Sequence, residues 1–146
     1  MSEKSNQAVE KFMGGYNCAQ ATIYPFSEET GISEDMALKI SCGLGGGMGR
    51  KQEVCGAVTG GILVLGLRHG RGVNDEQLVT NFTYQMTSEF MSRFAERNGS
   101  YICRELLDEC DLTTEEGQQE FKDRDMKNRI CKVCVESAVE LLEELG

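Results

Sequence analysis

The chain contains no tryptophan, a single proline, Pro25, and a single histidine, His69. It also has little that reads as β-structure. No alternating run of β-branched residues is long enough to be a strand, and no Asn-Gly or Asp-Gly pair joins two such runs as a hairpin. One histidine argues against a Cys–His nucleophile pair and against histidine-rich metal sites. Basic residues are in deficit, 15 Lys and Arg against 24 Asp and Glu, giving a formal charge of −9. A phosphate backbone needs the opposite balance, so no nucleic-acid partner is expected. The longest charge-free apolar stretch is Val54 to Leu67, short of the roughly twenty residues that cross a bilayer. No membrane insertion is expected either. The opening MSEKSNQAVEK lacks an apolar core, a cleavage site and a twin-arginine pair. The expected location is therefore cytoplasmic, where thiols stay reduced and serve catalysis or metal binding rather than structural disulfides.

What the chain has in quantity is cysteine, with seven, and glycine, with seventeen. A chain of 146 residues fits one domain and buries roughly 70% of its unfolded surface, so no covalent staple is required. Seven thiols also cannot all pair within one chain.

Helical signals recur from end to end, and the expectation is one all-α domain, 1–146, of six to eight helices. Ala8, Val9, Phe12 and Met13 form one apolar face, ended by Gly14 and Gly15. Asn17 caps a second helix carrying Cys18, Ala19, Ala21 and Thr22, which Pro25 should break early. Ser33 starts a third. Val54 to His69 is apolar on every side and should be the central, most buried element. Asn74 with Gln77 has capping-box spacing and opens a long helix with the stripe Leu78, Phe82, Met86, Phe90 and Phe94, closed by Gly99. Ser100 caps a short helix with Cys103 and Cys110, and Thr113 with Glu116 starts another. The last runs from about Asn128 to Leu145.

The stretch GLGGGMGRKQEVCGAVTGG, residues 43–61, holds eight of the glycines. It is not a phosphate loop. No Ser or Thr follows Arg50 and Lys51, Met48 stands where the dinucleotide pattern requires glycine, and no strand precedes it. Close backbone approach is the better reason for these glycines: to a neighbouring helix at Gly56, Gly60 and Gly61, and to a prosthetic group or partner at 45–49.

Four cysteines fall in first turns of these helices: Cys18, Cys55, Cys103 and Cys131. Free N–H groups there favour a thiolate. Cys42, Cys110 and Cys134 read as small buried hydrophobes, although Cys131-x-x-Cys134 also lets Cys134 act as accessory ligand or resolving thiol. His69 reads as a solvated residue at a helix end.

These residues resemble the C_GCAxxG_C_C family of redox-active proteins. The likeness is carried by Cys55-Gly56-Ala57-Val58-Thr59-Gly60, by GYNCAQA around Cys18, by SYICRELL around Cys103 and by CKVCVESAVELL from Cys131. It implies a redox role, in association with oxidoreductases in some relatives, and a prosthetic group such as an iron–sulfur cluster. Its four typical cysteines map onto Cys18, Cys55, Cys103 and Cys131. The expectation is thus an electron-transfer protein in which these four hold an iron–sulfur cluster or other metal, Cys55 being the most reactive thiol and a redox protein the partner. The alternatives are a metal-free thiol–disulfide protein and a non-catalytic helical module, homodimeric through the Gly56/Gly60 face.

Overall fold

In the computed structural model, which describes residues 2–146, capping side chains start several of the helices. Ser2 accepts the Ser5 N–H at 3.0 Å and opens α1, Glu3–Met13, which buries Ser5, Ala8 and Phe12. Asn17 caps α2, Cys18–Ile23, reciprocally: its Oδ1 accepts the Gln20 N–H at 3.0 Å while Gln20 Oε1 accepts the Asn17 N–H at 3.1 Å. Pro25 ends this helix in a tight turn, Tyr24–Phe26, followed by one helical turn, Ser27–Thr30. Ser33 caps α3, Glu34–Ser41. After the glycine loop come α4, Gly56–His69, and α5, Leu78–Asn98, which stops at left-handed Gly99. A short α6, Cys103–Leu106, precedes α7, Glu115–Asp123, whose cap is Thr114 rather than Thr113. The chain closes with α8, Lys132–Leu145, entered through a π-turn, Lys127–Cys131, in which the Lys132 N–H reaches back to the Lys127 carbonyl. Among the described residues there is no strand, only an antiparallel bridge between Val54 and Ile102. None of their helices is long and apolar enough to cross a membrane. The chain is all-α.

Helix α4 is apolar all round because it has neighbours all round. One side meets α2: a Cβ at Gly60 would stand 2.6 Å from the Ala19 carbonyl oxygen. A second side lies under Phe90 of α5, whose ring occupies the place of a Gly61 side chain. A third faces α8. The Gly56/Gly60 face is thus filled within the chain by α2, which removes it as a dimer face. Helix α4 is not alone as the most buried element, since α4 and α8 each bury seven of their fourteen residues. Amphipathic α8 turns Cys134, Val135, Ala138, Val139, Leu141 and Leu142 inward, whereas the last turn of α4 leaves Gly66 and Leu67 exposed.

Two expectations about α5 are corrected. It starts at Leu78, not Asn74, because the segment before it is held in a turn by the Asp75 carboxylate, which accepts the Gly72 N–H at 2.7 Å. Its stripe is buried only at Phe90 and Phe94, while Leu78 and Phe82 are exposed. The neighbouring α4 ends at His69, which meets the Phe82 ring edge-on at 5.2 Å, so the first turn of α5 lies beyond its partner helix. His69 itself is half-buried rather than solvated, with Nε2 buried and without a hydrogen-bond partner among the described residues.

Gly60→Ala should lower stability by about 1–3 kcal/mol, because backbone rather than a flexible side chain stands against the added methyl. Gly66→Ala on the same helix meets nothing within 4 Å and should stabilise by up to about 1 kcal/mol. Urea denaturation of the two variants checks the pair; equal effects would place the helix crossing elsewhere.

Candidate functional site

The crossing of α2 on α4 sets the first two cysteines side by side. Cys18 is the first residue of α2, and Cys55 immediately precedes α4. A Cβ on Gly56 would lie only 3.1 Å from Cys18 Cβ and from the Ala19 nitrogen, so the absence of a side chain there permits the approach. The start of α2 is tied down by Asn17, whose Nδ2 donates to the Cys42 carbonyl at 2.9 Å.

The glycine loop delivers the third. Gly46, Gly47 and Gly49 have φ of 65°, 70° and 60°, and Met48, Arg50 and Gln52 follow the same left-handed path. The loop closes on itself through Gln52 N–H to the Gly46 carbonyl at 3.1 Å and Glu53 N–H to the Gly47 carbonyl at 3.0 Å. A side chain at Gly47 would run into the Gln52 backbone at 2.6 Å. Gln52 is fully buried, and its amide bridges a distant segment: Nε2 donates to the Cys110 carbonyl at 2.7 Å and Oε1 accepts the Leu112 N–H at 2.9 Å. Two backbone bonds complete the tether, Cys103 N–H to the Glu53 carbonyl at 2.6 Å and Cys55 N–H to the Tyr101 carbonyl at 2.8 Å. They flank the Val54–Ile102 bridge and hold Cys103 beside Cys55.

The last two come from one helical stretch. Cys131 ends the π-turn and Cys134 lies three residues on, on the same face. Cys131 is the thiol neighbour of Cys18, and Cys134 that of Cys55. Cys18, Cys55, Cys103, Cys131 and Cys134 all line one partly open cavity of about 200 Å³, together with Phe12, Leu106, Leu107, Phe121 and Ile130 among others. Apart from the thiols, its polar side chains are Asn17 and Lys127, and Gly46 and Gly47 form part of the wall. Among the described residues, no three His, Cys, Asp or Glu side chains are close enough together to hold one metal ion. The thiols surround a space rather than a point.

Their acidities differ for identifiable reasons. A hydrogen bond from Cys134, aided by the Ala57 and Val58 N–H groups at the start of α4, holds the Cys55 thiol below its ordinary range despite burial. The proton sits on Cys134, whose pKa is raised far above the usual thiol value by that bond and by burial. A hydrogen bond with Cys131 and burial likewise raise Cys18. Burial, then the neighbouring Cys55 and Cys131, push Cys103 up to about 12. The N–H groups of a helix start therefore help to lower Cys55 but do not lower Cys18 or Cys103. Cys18 and Cys103 do begin helices, but burial and thiol neighbours outweigh the N–H groups. Cys131 follows a π-turn, so helical backbone already precedes it.

The remaining two thiols lie elsewhere. Cys110 is buried as expected, with its Sγ donating to the Gly117 carbonyl at 3.1 Å. Cys42, expected to be buried, is exposed: α3 turns Ala37 and Ser41 inward, and the next residue points out. Cys134 is the cavity residue that its reading as a core hydrophobe undervalued, and the Cys-x-x-Cys spacing was its signal. The role of Gln52 had none.

A family model described as "Putative redox-active protein (C_GCAxxG_C_C)" matches residues 16–145. No curated protein and no solved structure matches the chain.

In reduced, metal-free protein, iodoacetamide near pH 7 should label Cys55 before Cys18, Cys103 and Cys134, because its thiolate is favoured below the ordinary range while theirs are disfavoured. Cys103 should gain reactivity only as pH climbs toward about 12. Cys134→Ala removes the proton donor, so the pH profile of Cys55 labelling should move upward. Peptide mass spectrometry reads both, and an unshifted profile in the variant would show that Cys134 does not govern Cys55.

Proposed function

The chain belongs to the C_GCAxxG_C_C family, and on that footing we propose that its five-cysteine cavity is a redox centre that holds an iron–sulfur cluster and passes electrons. The observation that carries this reading is the convergence of five thiols, from four separate stretches, on one largely apolar cavity. A dithiol needs two cysteines, and a structural cysteine needs no others beside it. The donor set fits a cluster, since thiolates are its usual ligands and no carboxylate or histidine competes at the wall. Cys18, Cys55, Cys103 and Cys131 would hold it, with Cys134 as a fifth thiol beside Cys55. When bound, such a group supplies one-electron transfer. The chain's own contribution is threefold. The Ala57 and Val58 N–H groups favour negative charge on Cys55, the apolar wall limits water, and the side-chain-free Gly46, Gly47 and Gly56 leave room.

A specific observation also favours a metal-free reading. Cys55 and Cys134 form an adjacent pair with the proton on Cys134, as an attacking thiolate and its resolving partner require. In that chemistry Cys55 attacks a partner's disulfide and displaces one partner thiolate. Cys134 then loses its proton and attacks Cys55 in the mixed disulfide. The products are a Cys55–Cys134 disulfide and a reduced partner dithiol: two electrons pass to the partner, one of its sulfurs takes the proton given up by Cys134, and solvent protonates the other.

Anaerobic purification of untagged protein, with iron and acid-labile sulfide assays and an absorption spectrum, separates the two. The expected result is bound iron and sulfide with visible absorption, diminished by Cys18→Ser or Cys103→Ser and unaffected by Cys42→Ser. Colourless protein that takes up no iron or sulfide on anaerobic reconstitution, yet loses two free thiols on mild oxidation, would replace the cluster by the dithiol.

A further inference from the structure

The chain is acidic overall, yet the surroundings of the cavity mouth are not. Phe121 lines the cysteine cavity and also two adjoining surface clefts. Around it stand three cations from two parts of the chain. Arg50 comes from the glycine loop, Lys122 from α7, and Lys127 from the π-turn that leads to Cys131. Among the described residues none of the three makes an ion pair, as is also true of Arg71, Arg104 and Arg129, whereas Arg93 is matched with Glu89, Arg97 with Glu140 and Glu144, and Arg124 with Asp108 and Glu120. Lys127 rests its ammonium over the Phe12 ring at 5.4 Å. One carboxylate, Asp125, shares the outer cleft, where it accepts a hydrogen bond from Asn128 at 2.9 Å. The segment KDRDMKNRICK, residues 122–132, carries five basic residues and two acidic ones, against 15 and 24 in the whole chain. That segment is net basic, whereas α7 just before it carries Glu115, Glu116 and Glu120.

We propose that this mouth is the docking surface for a small acidic electron-carrier protein, held over Phe121 by Arg50, Lys122 and Lys127. The inference rests on the redox reading of the cavity and names its partner by charge. Cys55 and Cys134 are buried and Cys18, Cys103 and Cys131 half-buried, so electrons enter through a partner seated at the opening. A body of charge −9 repels an acidic protein everywhere else, so an unpaired cationic rim both attracts the partner and orients it. Complexes of this kind are small and short-lived, and their affinity falls steeply with salt.

The test uses oxidised acidic flavodoxin as probe and a basic c-type cytochrome as control, with affinities measured by isothermal titration calorimetry on the full chain. At about 20 mM ionic strength, flavodoxin should bind and the cytochrome should not bind through this surface; binding should be lost near 0.3 M salt. Arg50→Asn combined with Lys122→Gln and Lys127→Gln should weaken flavodoxin binding at least about tenfold. Asparagine tolerates the left-handed backbone at position 50, and a Lys122→Gln/Lys127→Gln variant leaves the loop untouched if the triple variant does not fold. Neutralising Lys39, Arg71 and Arg93 instead should change little. Absent flavodoxin binding, or equal losses in both sets of variants, would overturn the proposal. So would saturable binding of inorganic phosphate at the mouth without flavodoxin binding, which would make it a small-anion site. Iron and sulfide are assayed on the same wild-type samples. Docking without iron removes the cluster and keeps the surface, while iron without docking does the reverse.

Discussion

Two helices pass so closely that backbone touches backbone where Gly60 of α4 meets Ala19 of α2, and the cysteine site depends on that contact. Gly56 and Gly60 are four residues apart and share a face; a methyl group has no room at Gly60 and would be tight at Gly56. With any side chain at either position α2 would ride outward and carry Cys18 away from Cys55. Ala57, between them, is fully buried, and Cys55 sits at the entrance of the helix. The spacing Cys-Gly-Ala-x-x-Gly is thus the imprint of a helix crossing with a thiol at one end. A second tether is needed for Cys103, and it is polar. The buried amide of Gln52 and the flanking backbone bonds join the glycine loop to residues 101–112.

Five thiols around one apolar space set an electrostatic problem. Burial penalises each thiolate, and every thiolate formed penalises the next. The protein resolves this at one position, where Cys134 and two helix N–H groups favour the charge on Cys55, while Cys18, Cys103 and Cys134 are held toward their protonated forms. Ionising four would require positive charge inside the ring of sulfurs. Among the described residues that line the cavity Lys127, at the edge, is the one cation, and Arg104 beside Cys103 is the other positive charge that acts there. On the proposed cluster reading, metal uptake and proton release would be coupled there.

How far the sequence foretells this arrangement depends on the range of the interactions. Caps such as Asn17, Ser33 and Gly99 act over three or four residues, and their signals were readable. The close approach at Gly60 was readable because glycine weakens a helix unless something must pass close to it. The partner was not, and Gly56 and Gly60 suggested a second copy where α2 of the same chain fills the face. The four spaced cysteines stood out by resemblance and by helix position, but that position was a poor guide to acidity, because burial and neighbouring thiols depend on the fold. The π-turn before Cys131, the left-handed path through Gln52 and the exposure of Cys42 leave no periodic trace. The path through Gln52 is fixed by its bonds to Cys110 and Leu112, far along the chain.

Mild oxidation of the metal-free protein, followed by disulfide mapping at low protein concentration, tests the convergence most directly. Diamide removes two electrons and two protons for each bond formed, and only thiols that meet can pair. Intramolecular bonds should join members of the set Cys18, Cys55, Cys103, Cys131 and Cys134, with Cys55–Cys134 and Cys18–Cys131 foremost. Bonds from these five to Cys42 or Cys110 in folded monomer, or an oxidised protein linked only between molecules, would contradict the shared cavity.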